Sequence, residues 1–428
     1  MRRIYAALLY VAIPLASLVV LWRGLAERNY WRGWQQRFGA DFRFDTPRLW
    51  VHAASVGEVQ AASIVIRALR SARPEQRLLL TCTTPTGRER ARQQLGDTVD
   101  IRYAPYDLPL IVRRVLRAAR VSQLLVLETE LWPNLLHACA GAQVPVCMVS
   151  ARVSERTVRR LTLFRGLLSG AALANMSVAA QTDTDARRFA QLGVALAAIS
   201  VCGNVKFDQP LDDSVRARGS ALRVRYASAR PVWVAGSTHA GEEVAALAAH
   251  AALIEQLGDA WLVLAPRHPQ RFAEVAAMLQ ARELKFVRRS QNAATSDEQL
   301  RATPAQVLLL DTLGELTDFY AAADLAFVGG SLVPVGGHNL LEPAALGVAT
   351  ISGTHQFNAP DVARMLTDRH ALCLVSTPQE LTAAVTRLMG DAVARHALAD
   401  AARAAVTDNR GALEKILQLL KVRPEPPG

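Results

Sequence analysis

Short apolar runs alternate with amphipathic stretches along this chain, and the pattern is played through twice. In the first half the runs lie at 49–53, 78–82, 124–128, 144–149 and 178–180, with helical patterns at 58–70, 86–95 and 132–140 between them. A polar, proline-containing stretch follows at 208–223. The rhythm then restarts with runs at 231–235, 261–265, 307–311, 325–328 and 349–351. Unbroken apolar runs of this length predict strands buried on both faces, and the helical patterns between them predict the covering layers. The expected architecture is therefore α/β, with two doubly wound, Rossmann-like parallel sheets. The boundaries read from the pattern are an N-terminal segment at 1–39, a first domain at 40–208, a linker at 209–222 and a second domain at 223–428. The second domain is expected to carry C-terminal helices over 378–420 and a loose tail at 423–428.

The N-terminal segment is of a different kind. Ile4 to Trp22 holds no charged residue, and nineteen residues of helix at about 1.5 Å each approach the roughly 30 Å of a hydrocarbon core. Arg2 and Arg3 precede the run, while Arg23, Arg28, Arg32 and Arg37 follow it among Tyr30, Trp31 and Trp34. This predicts a retained membrane anchor helix with the main body on the cytoplasmic face, and leaves open whether the helix spans the bilayer or lies in one leaflet. A cleaved signal peptide is the rival reading, without a convincing small-residue cleavage site to support it. The formal charge of +11 favours an anionic partner, and it is carried almost wholly by arginine, since only four residues are lysine. No nucleic-acid motif accompanies it. The five cysteines have no metal spacing and read as free thiols in a reducing compartment.

In open parallel sheets chemistry gathers where strands end, and polar clusters stand at those points. The stretch from Gly329 to Gly347, GGSLVPVGGHNLLEPAALG, places four glycines within nine positions after a buried strand, then opens a helix at Asn339 and Glu342. Glycines and a helix start together offer backbone N–H groups to a ligand, and Glu342 is suited to accept from ribose hydroxyls. Other strands of the second half end in Ser237, Thr238 and His239, in Arg267, and in Glu315. These are phosphate-type donors and ribose-type acceptors along one sheet edge, which point to a nucleotide site. In the first half, Glu58 stands in Ser55-Val56-Gly57-Glu58, which is equally a helix capping box and a place for a general base. Arg88 ends a hydroxyl-rich loop, TCTTPTGR, that suits an anion or a plain helix cap. Glu128 and Glu130 close a very apolar strand, where a buried unpartnered carboxylate would be costly. Lys206 in Asn204-Val205-Lys206-Phe207-Asp208 is a compact ammonium in a chain that otherwise chooses arginine.

Taken in order, SVGE at 55–58, TPTG at 84–87, ETELWPN at 128–134, NVKFD at 204–208, GSTHAGEE at 236–243, PRHPQRF at 266–272, GEL at 314–316 and FVGGSLVPVGGHNLLEPAA at 327–345 resemble the Kdo transferases of lipopolysaccharide assembly. The resemblance covers essentially the whole chain. It implies the GT-B glycosyltransferase fold, with two Rossmann-like domains facing a cleft. It also implies inverting, metal-independent transfer of 3-deoxy-D-manno-oct-2-ulosonic acid (Kdo) from its cytidine monophosphate conjugate, CMP-Kdo. The acceptor would be an anionic phosphorylated glycolipid, the lipid A precursor lipid IVA, at the inner membrane, with no cofactor and no nucleic acid partner. Position by position it makes Glu58 the base, with Glu128 and Lys206 near the reacting centre and Arg88 and Glu130 toward the acceptor bound by the first domain. Donor contacts in the second domain would fall on Arg267, Gly314, Glu315, Asn339 and Glu342. Pro266, Leu313, Leu340 and Leu341 would lie alongside, and Ser237, Thr238 and His239 would face the phosphate. Two rivals are kept: a membrane-associated GT-B enzyme using a uridine diphosphate sugar, and an inactive anchored scaffold.

Overall fold

The structure, a computed structural model, describes residues 1–26, 31–164, 166–209, 214–227, 229–291 and 306–421. The chain divides into two units: Met1–Gln209 joined by the residues from Asn409 onward, and Pro210–Asp408.

Among the described residues each unit is built on a seven-stranded, all-parallel sheet. The first runs β3-β2-β1-β4-β5-β6-β7, where β1 is Arg48–Ala53, β2 Leu78–Cys82, β3 Asp100–Tyr103, β4 Val121–Leu127, β5 Val146–Ala151, β6 Met176–Ala180 and β7 Ile199–Val201. Strands β1, β2, β5 and β6 are nearly wholly buried. They can be, because helices pack on both faces: Leu49, Val51 and Ala53 of β1 point into one core and Trp50 into the other. Order reverses between β1 and β4, which pair directly, so the crevice that a doubly wound sheet offers to ligands opens at their C-terminal ends.

The second sheet runs β10-β11-β9-β8-β12-β13-β14. Here β8 is Val232–Thr238, β9 Trp261–Pro266, β10 Phe286–Arg288, β11 Val307–Leu309, β12 Leu325–Val328, β13 Ala349–Gly353 and β14 Cys373–Val375. Its central strands pair β9 to β8 and β8 to β12, and β8 and β12 flank the point of reversal. Gly236 in β8 allows a close approach that no other residue would: a Cβ there would stand 2.1 Å from the Tyr320 hydroxyl.

Two boundaries differ from the sequence reading. Residues 214–222, expected in a linker, fall within the helix Ser214–Tyr226. Its polarity is spent on ion pairs from Arg218 to Asp318 at 2.8 Å and from Arg223 to Asp324 at 3.0 Å, and Gly219 lets it sit tight against Ala321. Residues 210–213 of that expected linker lie outside the described residues, as does the expected tail at 423–428. The last helix, Ala412–Lys421, belongs to the first unit rather than the second. Ala412, Ile416 and Leu420 are buried in the first unit's core, and Asp208 caps the helix start by accepting from Gly411 N at 2.6 Å and Leu413 N at 2.7 Å. The expected anchor segment forms the helix Arg2–Ala26, which continues through Pro14. Among the described residues no helix is long and apolar enough to cross a membrane. Cys82, Cys139, Cys147 and Cys202 are buried free thiols, and Cys373 is a half-buried one.

Candidate active site

In the first unit the chemistry stands at the switch point. Glu58 lies in the first turn of Val56–Ala72, the helix that follows β1. The capping box is formed: Glu58 N donates to Ser55 Oγ at 3.3 Å, and the Ser55 hydroxyl donates to Glu58 Oε1 at 3.1 Å. The other oxygen, Oε2, accepts from Ala54 N at 2.8 Å. The capping-box reading of Glu58 is therefore realised in the structure. Burial lifts its carboxyl to about 7, with the charges of Glu130 and Glu128 adding to the rise against the pull of the Ala54 and Ser55 hydrogen bonds. A cap at an exposed helix start would have no such elevation.

Glu128 follows β4, the neighbouring strand, and adopts φ 54°, a left-handed conformation unusual outside glycine. Lys206 Nζ approaches its Oε1 at 2.5 Å and Arg152 Nε its Oε2 at 2.9 Å. Burial would raise this carboxyl, but the two cations outweigh it and hold the group below its ordinary value. The cost of a buried carboxylate is thus met by two partners. Lys206 is delivered by the short turn Val205–Asp208 after β7. Val205 N donates to Ser150 Oγ at 2.9 Å, and Asn204 Oδ1 accepts from Lys206 N at 3.0 Å. Glu130 accepts from Trp132 Nε1 at 2.6 Å, and burial, aided by the charge of Glu128, raises its carboxyl. Glu58, Glu128, Glu130 and Lys206 are therefore brought together electrostatically, as expected from their strand ends. Arg88 has other surroundings. Its guanidinium lies over the Tyr103 ring beside that of Arg37, and it donates to the Arg32 carbonyl at 2.8 Å. It thereby ties the 31–38 segment to the sheet.

The second unit has its own polar edge at the ends of β8, β9 and β12. Here the glycine stretch departs from expectation. The N–H groups of Gly330, Ser331 and Leu332 all point at one carboxylate, that of Glu242, at 2.7, 2.9 and 2.9 Å, and His239 N joins them at 2.9 Å. The backbone cradle expected to meet a ligand is thus filled from within. Gly330 is required there: its φ is 68°, and a Cβ would meet the His338 ring at 2.8 Å. That ring stacks on His239, with their Nε2 atoms 2.9 Å apart, and His268 meets His239 edge-on. Thr238 is buried, its hydroxyl donating to Glu243 at 3.1 Å, while Ser237 takes a left-handed φ of 54°. Pro266 ends β9, and Arg267 N donates to Thr238 O at 2.9 Å. Among the described residues no ion pair occupies the Arg267 guanidinium.

The expected ribose acceptors also have partners. Glu315 accepts from Arg289 Nη2 at 2.5 Å and from the Thr312 hydroxyl. Burial would raise it, but these bonds hold its carboxyl below the usual range. Glu342 accepts from Asn339 Nδ2 at 2.9 Å and from Thr317 Oγ1 at 3.3 Å. Thr317 lies in Leu316–Ala321, the helix that Glu315 immediately precedes, so 312–317 and 339–342 form one polar group. Leu313 and Gly314 are exposed on it, whereas the Leu340 and Leu341 side chains are buried, leaving only their backbone to a ligand. Glu242, Arg152, Arg289 and His338 escaped the sequence reading. Glu242 and His338 stood inside quoted motifs, but nothing in their spacing pairs a residue at 242 with amides near 331. Among the described residues no group of three or more His, Cys, Asp or Glu is placed to hold a metal ion.

Two parallel-sheet α/β units with their polar groups at the switch points resemble the GT-B fold of glycosyltransferases. The solved structure of MurG from Acinetobacter baumannii shares that fold, with a TM-score of 0.53 at 15% identity over 88% of this chain and all of that one. Residues 32–209 match the family described as 3-deoxy-D-manno-octulosonic-acid transferase (kdotransferase). Over 424 residues the chain is 36% identical to the 3-deoxy-D-manno-octulosonic acid transferase of Haemophilus influenzae, covering 98% of each. It is also 36% identical to that of Bordetella pertussis, covering 95% of this chain and 96% of the other. The chain belongs to the 3-deoxy-D-manno-octulosonic acid transferase family.

Proposed function

We propose that the protein transfers Kdo from CMP-Kdo to an anionic phosphorylated lipid A precursor on the cytoplasmic face of the inner membrane, without a metal. The observation that carries the reading is the buried Glu58 carboxyl at a switch point, poised near neutrality beside the Glu128–Lys206 pair. A group titrating near 7 is the effective base for a hydroxyl at physiological pH. Glu58 takes the proton of the acceptor hydroxyl while that oxygen bonds to the anomeric carbon of Kdo. The bond from that carbon to the phosphate oxygen breaks, and cytidine monophosphate leaves with the electron pair, inverting the centre. Lys206, held by Glu128, supplies fixed positive charge on the acceptor-binding unit. The second unit binds the donor, its nucleotide along 312–317 and 339–342 and its phosphate at Arg267, Ser237 and the His239–His338 pair. Names shared with relatives over nearly the whole chain support the sugar; the N-terminal helix supports membrane attachment.

The test is a transfer assay in detergent with freshly made CMP-Kdo and lipid IVA, reading product mass. A gain of one or more Kdo residues is expected; no gain in mass while cytidine monophosphate still binds would sink the acceptor or the sugar. For the donor half, Arg267→Ala is expected to raise the dissociation constant of cytidine monophosphate about 10- to 100-fold, the worth of one charge-assisted contact of about 1.5–3 kcal/mol. Calorimetry gives the answer directly, and an unchanged constant would remove Arg267 from the site. Tighter binding of uridine than cytidine nucleotides would favour a uridine diphosphate sugar as donor.

A further inference from the structure

The N-terminal helix Arg2–Ala26 carries Ile4, Leu8, Val11, Leu15, Leu18 and Trp22 on one face, each more than half exposed. Steps of four and three residues make these a single stripe along the helix. Ala6 and Ile13, off that stripe, are buried. Both ends of the segment are held by the same unit. At the start, Arg2 Nη1 donates to Asn134 Oδ1 at 3.3 Å, and the Tyr5 hydroxyl bonds the Asp107 carboxylate. Asp107 is itself fixed, accepting from Asn134 N at 3.1 Å and Leu135 N at 2.7 Å at the head of the helix Pro133–Gly141. Beyond the other end, Arg32 O accepts from Arg88, Gln36 Oε1 accepts from Tyr103 N at 3.0 Å, and Arg37 donates to Thr83 O at 2.7 Å. A helix crossing a bilayer sets its two ends about 30 Å apart on opposite faces. One folded unit on one side does not grip both.

We propose that this helix lies in the plane of one leaflet, its apolar stripe in the acyl boundary and the first unit resting on an anionic phospholipid surface. The inference rests on the membrane attachment proposed above and fixes its geometry. Charge names the partner. Arg113, Arg117 and His137 line one surface pocket, and the positive charges of Arg2 and Arg113 bear on His137. Met1 shares a second pocket with Arg159 and Leu163 of the helix Glu155–Leu163, where Leu163 and Phe164 are exposed on a segment that also exposes Arg156 and Arg160, Arg159 being paired with Glu155 at 2.5 Å. Apolar side chains flanked by arginines are the composition of an interfacial helix meeting anionic headgroups.

The test uses the full chain with an epitope tag at each end, bound to inside-out inner-membrane vesicles that expose the cytoplasmic face. The in-plane helix predicts that protease removes both tags while the protein still pellets with the vesicles. A protected N-terminal tag would overturn the geometry and leave the attachment standing. In parallel, flotation with phosphatidylcholine vesicles containing 30% phosphatidylglycerol is expected to fall at least 10-fold for Leu8→Asp/Leu15→Asp, with the unfolding midpoint unchanged. No vesicle binding by the parent chain would defeat attachment and geometry together. A detergent-free dimer that the double substitution dissolves, without effect on flotation, would make the stripe an interface between copies and overturn the proposal.

Discussion

Replacing Glu58 by glutamine is expected to lower the transfer rate about 10²- to 10⁴-fold, the usual worth of general-base catalysis, with cytidine monophosphate binding intact. Glutamine separates the observed cap from the proposed base. Its amide oxygen still accepts from Ala54 N, as Glu58 Oε2 does, and Ser55 Oγ still accepts from the backbone N–H of residue 58. The helix cap therefore survives and only the proton acceptor is lost. If the cap were the whole role, Glu58→Gln would turn over like the parent, and the catalytic reading would fall. The pH profile gives a second, independent reading. With the carboxyl lifted to about 7 by burial and by Glu130 and Glu128, kcat/KM is expected to rise with pH up to a limb near 7. The stability change has the opposite sign. A carboxyl raised in the folded state binds more protons folded than unfolded between about 4.5 and 7. Its contribution to stability is whole below the unfolded value and is lost as pH rises through the folded one. In the proposed mechanism the base is thus gained by giving up a little stability, and Glu58→Gln should abolish both dependences.

The parts of the fold that the sequence announced and the parts it hid are separated by burial. Every strand read from an apolar run is in place, and Leu325–Val328 matches to the residue. The unread strands are Asp100–Tyr103, Ile199–Val201, Phe286–Arg288 and Cys373–Val375, and these are the four edges of the two sheets. An edge strand is covered less and paired on one side only, so it needs no continuous apolar run; Arg102 and Arg288 are tolerated in two of them. The helix Ser214–Tyr226 was hidden for a related reason, because arginine ion pairs and a glycine close approach replace an apolar stripe. At the site the strand ends were legible and the partners were not. Glu128 and Lys206 are 78 residues apart in sequence, and only the order in which β4, β5, β6 and β7 line up places them in contact. Glu242 lies 88 residues from Gly330 for the same reason.

That internal carboxylate carries the largest expected effect on stability. Glu242→Ala is expected to destabilise the second unit by about 3–5 kcal/mol, since an unsatisfied buried donor costs roughly 1–3 kcal/mol and four backbone N–H groups lose their acceptor together. Water entering the vacated space recovers part of that cost, which is why the sum stays below the simple total. At about 2–4 °C per kcal/mol for a unit of this size, the unfolding midpoint by circular dichroism should fall by roughly 6–20 °C. Glu242→Gln should lie between, because its amide nitrogen faces one pair of donors while its oxygen serves the other. Hydrogen exchange over the peptide containing 329–335 localises the loss: Ser331 and Leu332 amides are expected to exchange faster in both variants. An alanine variant with the parental midpoint and unchanged exchange would mean that those amides find other acceptors, and the cradle would then be open to a phosphate after all. With the cradle filled, negative charge from a ligand is repelled there. In the proposed reading the donor phosphate is left to the groups around it, Arg267 and the histidine pair, and Glu242 holds that pair's backbone through His239 N and Gly330 N. Loss of Glu242 should therefore weaken cytidine monophosphate binding as well as stability, although no part of that side chain need touch the nucleotide.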